Sequence, residues 1–109
     1  MDEQALKTLL LSPPSDEKKN AVVVFMVDLA EELGDTVGKR EMAELSRMTM
    51  LNTETATILS ANPRMAEWKV RALVGELHEY CELRKALAKL DAHKERLYWT
   101  LKALYKVAS

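Results

Sequence analysis

The segment Asn20-Ala21-Val22-Val23-Val24-Phe25-Met26-Val27-Asp28-Leu29-Ala30-Glu31-Glu32-Leu33 decides the fold. Its first eight residues are rich in β-branched side chains and suit a buried strand. Its second part, ending at Gly34, has the composition of a helix with a glycine C-cap. The sequence offers no second strand as a partner, and a lone strand leaves its backbone donors and acceptors unpaired. The segment therefore predicts a helix over Asp16–Leu33 that is apolar most of the way round, central to a core or to an interface.

Working outward, a short helix is expected over Asp2–Leu11, with Asp2 and Glu3 complementing the dipole of its first turn. Ser12-Pro13-Pro14-Ser15 stops it, because proline lacks a donor and turns the preceding residue away from helical geometry. Ser15 is placed to cap the next helix. Gly34 and Gly38 bracket an expected turn, followed by a third helix over Lys39–Met50 with an Arg40–Glu44 pair at i,i+4. Asn52-Thr53-Glu54-Thr55 reads as a break, and Thr55–Ala61 as a short fourth segment. Asn62 suits an N-cap and Pro63 the first helical position.

From Pro63 to Ser109 there is no further proline, and Gly75 is the one glycine. A straight helix of that span would be roughly 70 Å long, too long for one compact domain of this size. Leucines recur at Leu73, Leu77, Leu83, Leu87, Leu90, Leu97 and Leu101, with Lys94 where an apolar residue is due. Either the helix folds back near Asp91-Ala92-His93, or a long helix pairs in an oligomeric coiled coil with Lys94 as its polar interruption. Those seven leucines are the candidate partner or oligomer interface. The expectation is a small all-α bundle of four to five helices, with a long C-terminal helix or helical hairpin, assembled as a homo-oligomer.

Composition sets the class. The 109 residues suit a single helical domain. Three Gly and three Pro favour helix, and 48% hydrophobic with 30% charged residues is too apolar for disorder. The lone Cys81 excludes an internal disulfide and fits a reducing compartment. No basic-then-apolar leader opens the sequence, and the apolar run Ala21–Val27 is far below the roughly 20 residues of a membrane span. A cytoplasmic protein without membrane attachment is expected.

Charge is lopsided. Residues 1–62 carry 11 acidic and 6 basic side chains, whereas residues 63–109 carry 6 acidic and 10 basic. An acidic half thus precedes a basic helical half, a pattern that points to a polyanion or an acidic protein surface as partner.

Catalytic chemistry is hard to find. His78, Cys81 and Glu82 have the i,i+3 and i,i+4 spacing of metal ligands, but a fourth ligand and a second motif are missing. A Cys81–His78 nucleophile pair on one straight helix would lack a pocket and oxyanion donors. No phosphate loop, carboxylate pair or Ser/His/Asp arrangement is visible. The reading is a non-enzyme with no cofactor, no metal and no small-molecule substrate. Met42, Met48, Met50 and Met65 read first as helical core, with an adaptable binding surface as the other option. Glu41–Ser60 loosely suggests helix-turn-helix, yet the turn lacks glycine and the segment is net acidic.

The candidate nucleic-acid residues are Arg84, Lys85, Lys89, Lys94, Arg96, Trp99, Lys102 and Lys106. Lysine and arginine neutralise phosphates, while Trp99, with Tyr98 and Tyr105, can stack on unpaired bases. The competing reading makes the aromatics core and the charges a solvated face.

Thr57-Ile58-Leu59-Ser60-Ala61-Asn62, followed by Gly75-x-Leu77-x-Glu79-Tyr80-Cys81, resembles a stretch in the phage recombination-mediator (UvsY-like) proteins. The resemblance covers residues 55–105 and needs a small gap. Residues 1–50 show no correspondence, the chain is short for that family, and the basic aromatic run departs from its pattern. The resemblance implies a helical oligomer that binds single-stranded DNA and helps load a recombinase. Two functions follow: a single-strand nucleic-acid accessory protein, or a phage- or plasmid-type helical adaptor or inhibitor acting through an apolar face.

Overall fold

The computed structural model describes residues 2–109, and these residues contain four helices and no strand. Helix α1 spans Glu3–Leu11, α2 Asp16–Ala61, α3 Glu67–Gly75 and α4 His78–Ala108. The ambiguous segment 20–33 is helical throughout. Among the described residues, no helix is long and apolar enough to cross a membrane.

The N-terminal signals act as their chemistry demands. Asp2 lies just before α1 and caps it, its carboxylate accepting from the Ala5 N–H at 3.0 Å. Ser15 caps α2 by accepting from the Lys18 N–H at 3.0 Å. Helix α1 has no basic residue in its last turn, and Lys18 supplies one from the next helix. Its Nζ donates to the carbonyls of Leu10 and Ser12 at 3.0 and 2.9 Å, satisfying acceptors that a helix end leaves open.

The turn expected between Gly34 and Gly38 is absent: α2 runs through both for 46 residues. Neither glycine has positive φ, and nothing lies within 4 Å of a Cβ built on either. Glu31-Glu32-Leu33 before the pair and Lys39-Arg40-Glu41-Met42 after it are strong helix formers, and Leu29 and Thr36 on the same helix are buried at 2% and 4% exposure. Two helical glycines cost about 2 kcal/mol together, less than the loss of packing that a break beside these residues would bring. The break at Asn52–Thr55 is absent too. Thr55 is buried with its hydroxyl lacking a hydrogen-bond partner among the described residues, while the Thr57 hydroxyl donates back to the Thr53 carbonyl at 2.9 Å, which absorbs the polarity of Thr57 within the helix. A continuous helix also removes the turn that helix-turn-helix requires.

Asn62 closes a helix instead of opening one. Its N–H donates to the Ile58 carbonyl at 2.9 Å and its side-chain amide to the same oxygen at 3.1 Å. Pro63 lies in the following turn, where it prevents continuation, and α3 starts at Glu67 with Ala66 as an N-cap lacking a side-chain bond. The later interruption falls at Glu76-Leu77, after Gly75, and α4 passes through Asp91-Ala92-His93 unbroken. Asp91 caps no helix; it accepts from Arg40 Nε at 2.8 Å. The expected Arg40–Glu44 pair gives way to this bond and to a bidentate Glu44–Arg47 pair.

The described chain forms two compact units. Residues up to 37 and 92–109 make the first, and residues 38–91 the second. In the first, Leu6 of α1, Val22 and Leu29 of α2, and Leu97 and Leu104 of α4 form the buried core, flanked by Leu9, Phe25, Met26, Leu33, Leu101 and Ala108. In the second, Val70 and Val74 of α3 are fully buried, with Tyr80 at 6% exposure and Thr55 at 4%. Removing these apolar side chains from water is the main force holding each unit together.

Candidate docking face

In the first unit, Val22, Phe25, Leu29 and Leu33 turn toward the core, and helical spacing carries Val23, Val27 and Ala30 onto a neighbouring face. Val23 and Val27 are 48% and 54% exposed. On α4, Leu97 and Leu104 fill the core while Tyr98 and Tyr105, seven residues apart, emerge beside them at 48% and 67% exposure. Between the two helices lies an apolar groove of about 720 Å³, lined by Val23, Met26, Val27, Ala30, Tyr98, Leu101, Lys102, Tyr105, Ala108 and Ser109. Contiguous exposed apolar surface of this kind marks interaction sites more often than scattered single residues do.

The basic aromatic residues of the first unit divide between sides of α4. At about 100° per residue, Arg96, Trp99, Lys102 and Lys106 fall within roughly a third of the helix circumference. Lys94 lies on another side, one turn before Tyr98, and is half-buried. Trp99 is 57% exposed but occupied. Its indole N–H donates to Glu95 at 3.1 Å, the Lys102 ammonium sits 5.0 Å from its ring centroid, and Tyr98 meets it edge-on at 5.5 Å. In the second unit, Arg84 and Lys89 are exposed and Lys85 pairs with Glu82 at 3.4 Å.

The leucines of the expected interface also separate. Leu97 is fully buried in the core of its own unit and offers no surface to a partner. Leu101 packs on that core and reaches the groove. Leu83, Leu87 and Leu90 are half-buried in the second unit, whereas Leu73 and Leu77 are 45% and 39% exposed. Two of the four methionines correct the core reading: Met42 and Met48 are 66% and 49% exposed, whereas Met50 and Met65 are half-buried. Arg40, Ala43, Glu44 and Arg47 take the inward side of α2 there, so Met42, Leu45 and Met48 are left outward. Trp68, not singled out in the sequence, is 70% exposed, with Lys69 5.6 Å from its ring centroid.

Arg40, Glu44, Arg47 and Asp91 of the second unit are committed to structure. Arg47 is held in its charged form by the Glu44 carboxylate and by donating to the Tyr80 hydroxyl at 2.8 Å. The same hydrogen-bonded pair pushes Glu44 below the usual carboxylate range. Asp91 does the corresponding work for Arg40, whose pKa rises. The Cys81 thiol donates to the Gly75 carbonyl at 3.3 Å, serving the end of α3. Among the described residues, no group of three or more His, Cys, Asp or Glu side chains is arranged to hold a metal ion.

No protein-family model matches this chain, and no curated protein and no solved structure matches it.

Proposed function

We propose that this chain is a non-catalytic association module that docks a helical protein surface on the α2/α4 face of its first unit. The observation that carries the reading is the apolar groove between Val23, Val27 and Ala30 on one side and Tyr98, Leu101 and Tyr105 on the other. A groove between two packed helices is the natural seat of a third helix, whose apolar stripe supplies what both lack. The test is a photoreactive side chain placed at Val27 in cells, with exposed Lys89 as the control position. A discrete protein adduct from position 27 and none from 89 is the expected result. Absence of any adduct at 27, with the chain folded, would overturn the reading.

A second reading, single-stranded nucleic-acid binding as a mediator-like accessory, draws on the shared face of Arg96, Trp99, Lys102 and Lys106 and on the resemblance of residues 55–105. Phosphate contacts make such binding weaken steeply between about 50 mM and about 300 mM salt. On this reading Trp99→Ala and Lys102→Glu weaken capture of a labelled single-stranded oligonucleotide, and Lys94→Glu, on another side of the helix, leaves it unchanged. No retention at the lower salt rejects it.

A further inference from the structure

We propose that the occupant of the α2/α4 groove is a second copy of this chain, seated so that α2 of each copy lies on α4 of the other. The inference rests on the docking reading above and names its partner.

Charge selects the occupant. On the first unit's part of α2, Asp28, Glu31 and Asp35 are exposed, and on its part of α4 the excess is basic. Glu31 follows Val27 by one helical turn, and Lys94 precedes Tyr98 by one turn, so each continues the groove side of its own helix. Their heights match. His93, the neighbour of Lys94, lies 3.0 Å from Glu32, the neighbour of Glu31. Among the described residues, neither Glu31 nor Lys94 forms an ion pair within its own chain.

Two face-to-face two-fold arrangements are available. An axis perpendicular to the helices stacks α2 on α2 and reverses height, so it brings Glu31 of neither copy to Lys94 of the other. An axis parallel to the helices stacks α2 on α4 and preserves height, so Glu31 of one copy meets Lys94 of the other, twice in the dimer. The valines and tyrosines then close on each other between four helices. Over this unit the face is about 25 Å long and two helices wide, on the order of the 800 Å² per partner of a stable interface. It also accounts for Lys94: a lysine where the leucine seam calls for an apolar residue fixes which helices pair.

The experiment is the mass of the purified full chain in solution across the micromolar range, by sedimentation equilibrium. The expected mass rises from 12.4 kDa to twice that value. Glu31→Lys and Lys94→Glu alone each set like charges together twice, weakening the dimer about tenfold or more. An equimolar mixture of the two variants restores it, because each then presents the other with opposite charge. Val27→Glu removes the dimer, with helix content by circular dichroism confirming that the exposed substitution leaves the fold intact. A monomer at every concentration overturns the second copy as occupant. If position 27 still yields an adduct to a different protein, the docking reading stands while this one fails. A dimer indifferent to Val27→Glu, or charge variants that do not rescue each other, also overturns it.

Discussion

Replacing Gly34 and Gly38 by alanine gives opposite signs for a continuous α2 and for a helix that stops at a glycine cap. Neither glycine has positive φ, and an added Cβ meets no heavy atom within 4 Å. Alanine therefore introduces no clash and no backbone strain, and it removes the conformational freedom that glycine brings to the unfolded chain. In a helix interior the exchange is worth about 0.8–1.0 kcal/mol per site, so the double variant gains about 2 kcal/mol. At roughly 4–8 °C per kcal/mol for a domain of this size, each single variant melts several degrees higher. A glycine in a left-handed cap would behave differently, since alanine there loses about 1–2 kcal/mol per site. The two outcomes for the double variant thus differ by about 4 kcal/mol or more, well beyond experimental scatter. Denaturant unfolding at low protein concentration, where association through the adjacent face does not contribute, reads the difference as a shift in midpoint at unchanged slope. A loss of stability in either single variant would refute the continuous helix at that position.

Two further outcomes test packing and charge. Leu97→Ala should cost about 2–5 kcal/mol because the side chain is fully enclosed, whereas half-exposed Leu73→Ala should cost less than about 1 kcal/mol; similar losses would contradict the burial pattern. Glu44 titrates below its ordinary range in the folded chain because Arg47 hydrogen-bonds its carboxylate. Its stabilising contribution is therefore complete above the unfolded-state pKa and is lost as pH falls through the lower folded value. Glu44→Gln should flatten the acid limb of the stability–pH profile, and an unchanged limb would remove the pair from its cause.

The helical class and the Ser15 cap were legible because they depend on local chemistry. A lone β-branched run cannot satisfy its backbone as an unpaired strand, and Ser15 bonds a donor three residues away, whereas Asp2, expected inside the first turn, is the N-cap of α1 instead. The interior boundaries were not legible, because there the choice is made by packing. Gly34, Gly38 and Asn52–Thr55 carry break signals of about 1 kcal/mol each, and buried Leu29, Thr36 and Thr55 outweigh them. The C-terminal half does break, as its length led one to expect, but at Glu76-Leu77 after Gly75 and not near Asp91-Ala92-His93, where α4 runs on without interruption.

The same physics explains why the candidate face was only half visible. Sequence periodicity identifies an apolar residue, but not which of several apolar sides of a helix meets its own chain. In segment 20–33 every side carries a valine, leucine, phenylalanine or methionine, and only the placement of α1 and α4 divides Val22 and Leu29 from Val23 and Val27. On α4 the leucine seam marks the inward side, and a seam with one lysine invites reading as an external coiled coil. With Leu97 enclosed by its own chain, the surface left for association lies one side further round, where Tyr98 and Tyr105 stand clear of the core. Aromatics among lysines suggested base stacking in the sequence, yet Trp99 already engages Glu95 and Lys102, while the two tyrosines border an apolar groove. A partner that fills that groove removes apolar surface from water, whereas a polynucleotide stacking on Trp99 must first compete with Glu95 for the indole N–H. That asymmetry favours a protein surface over a nucleic acid as the partner of the first unit.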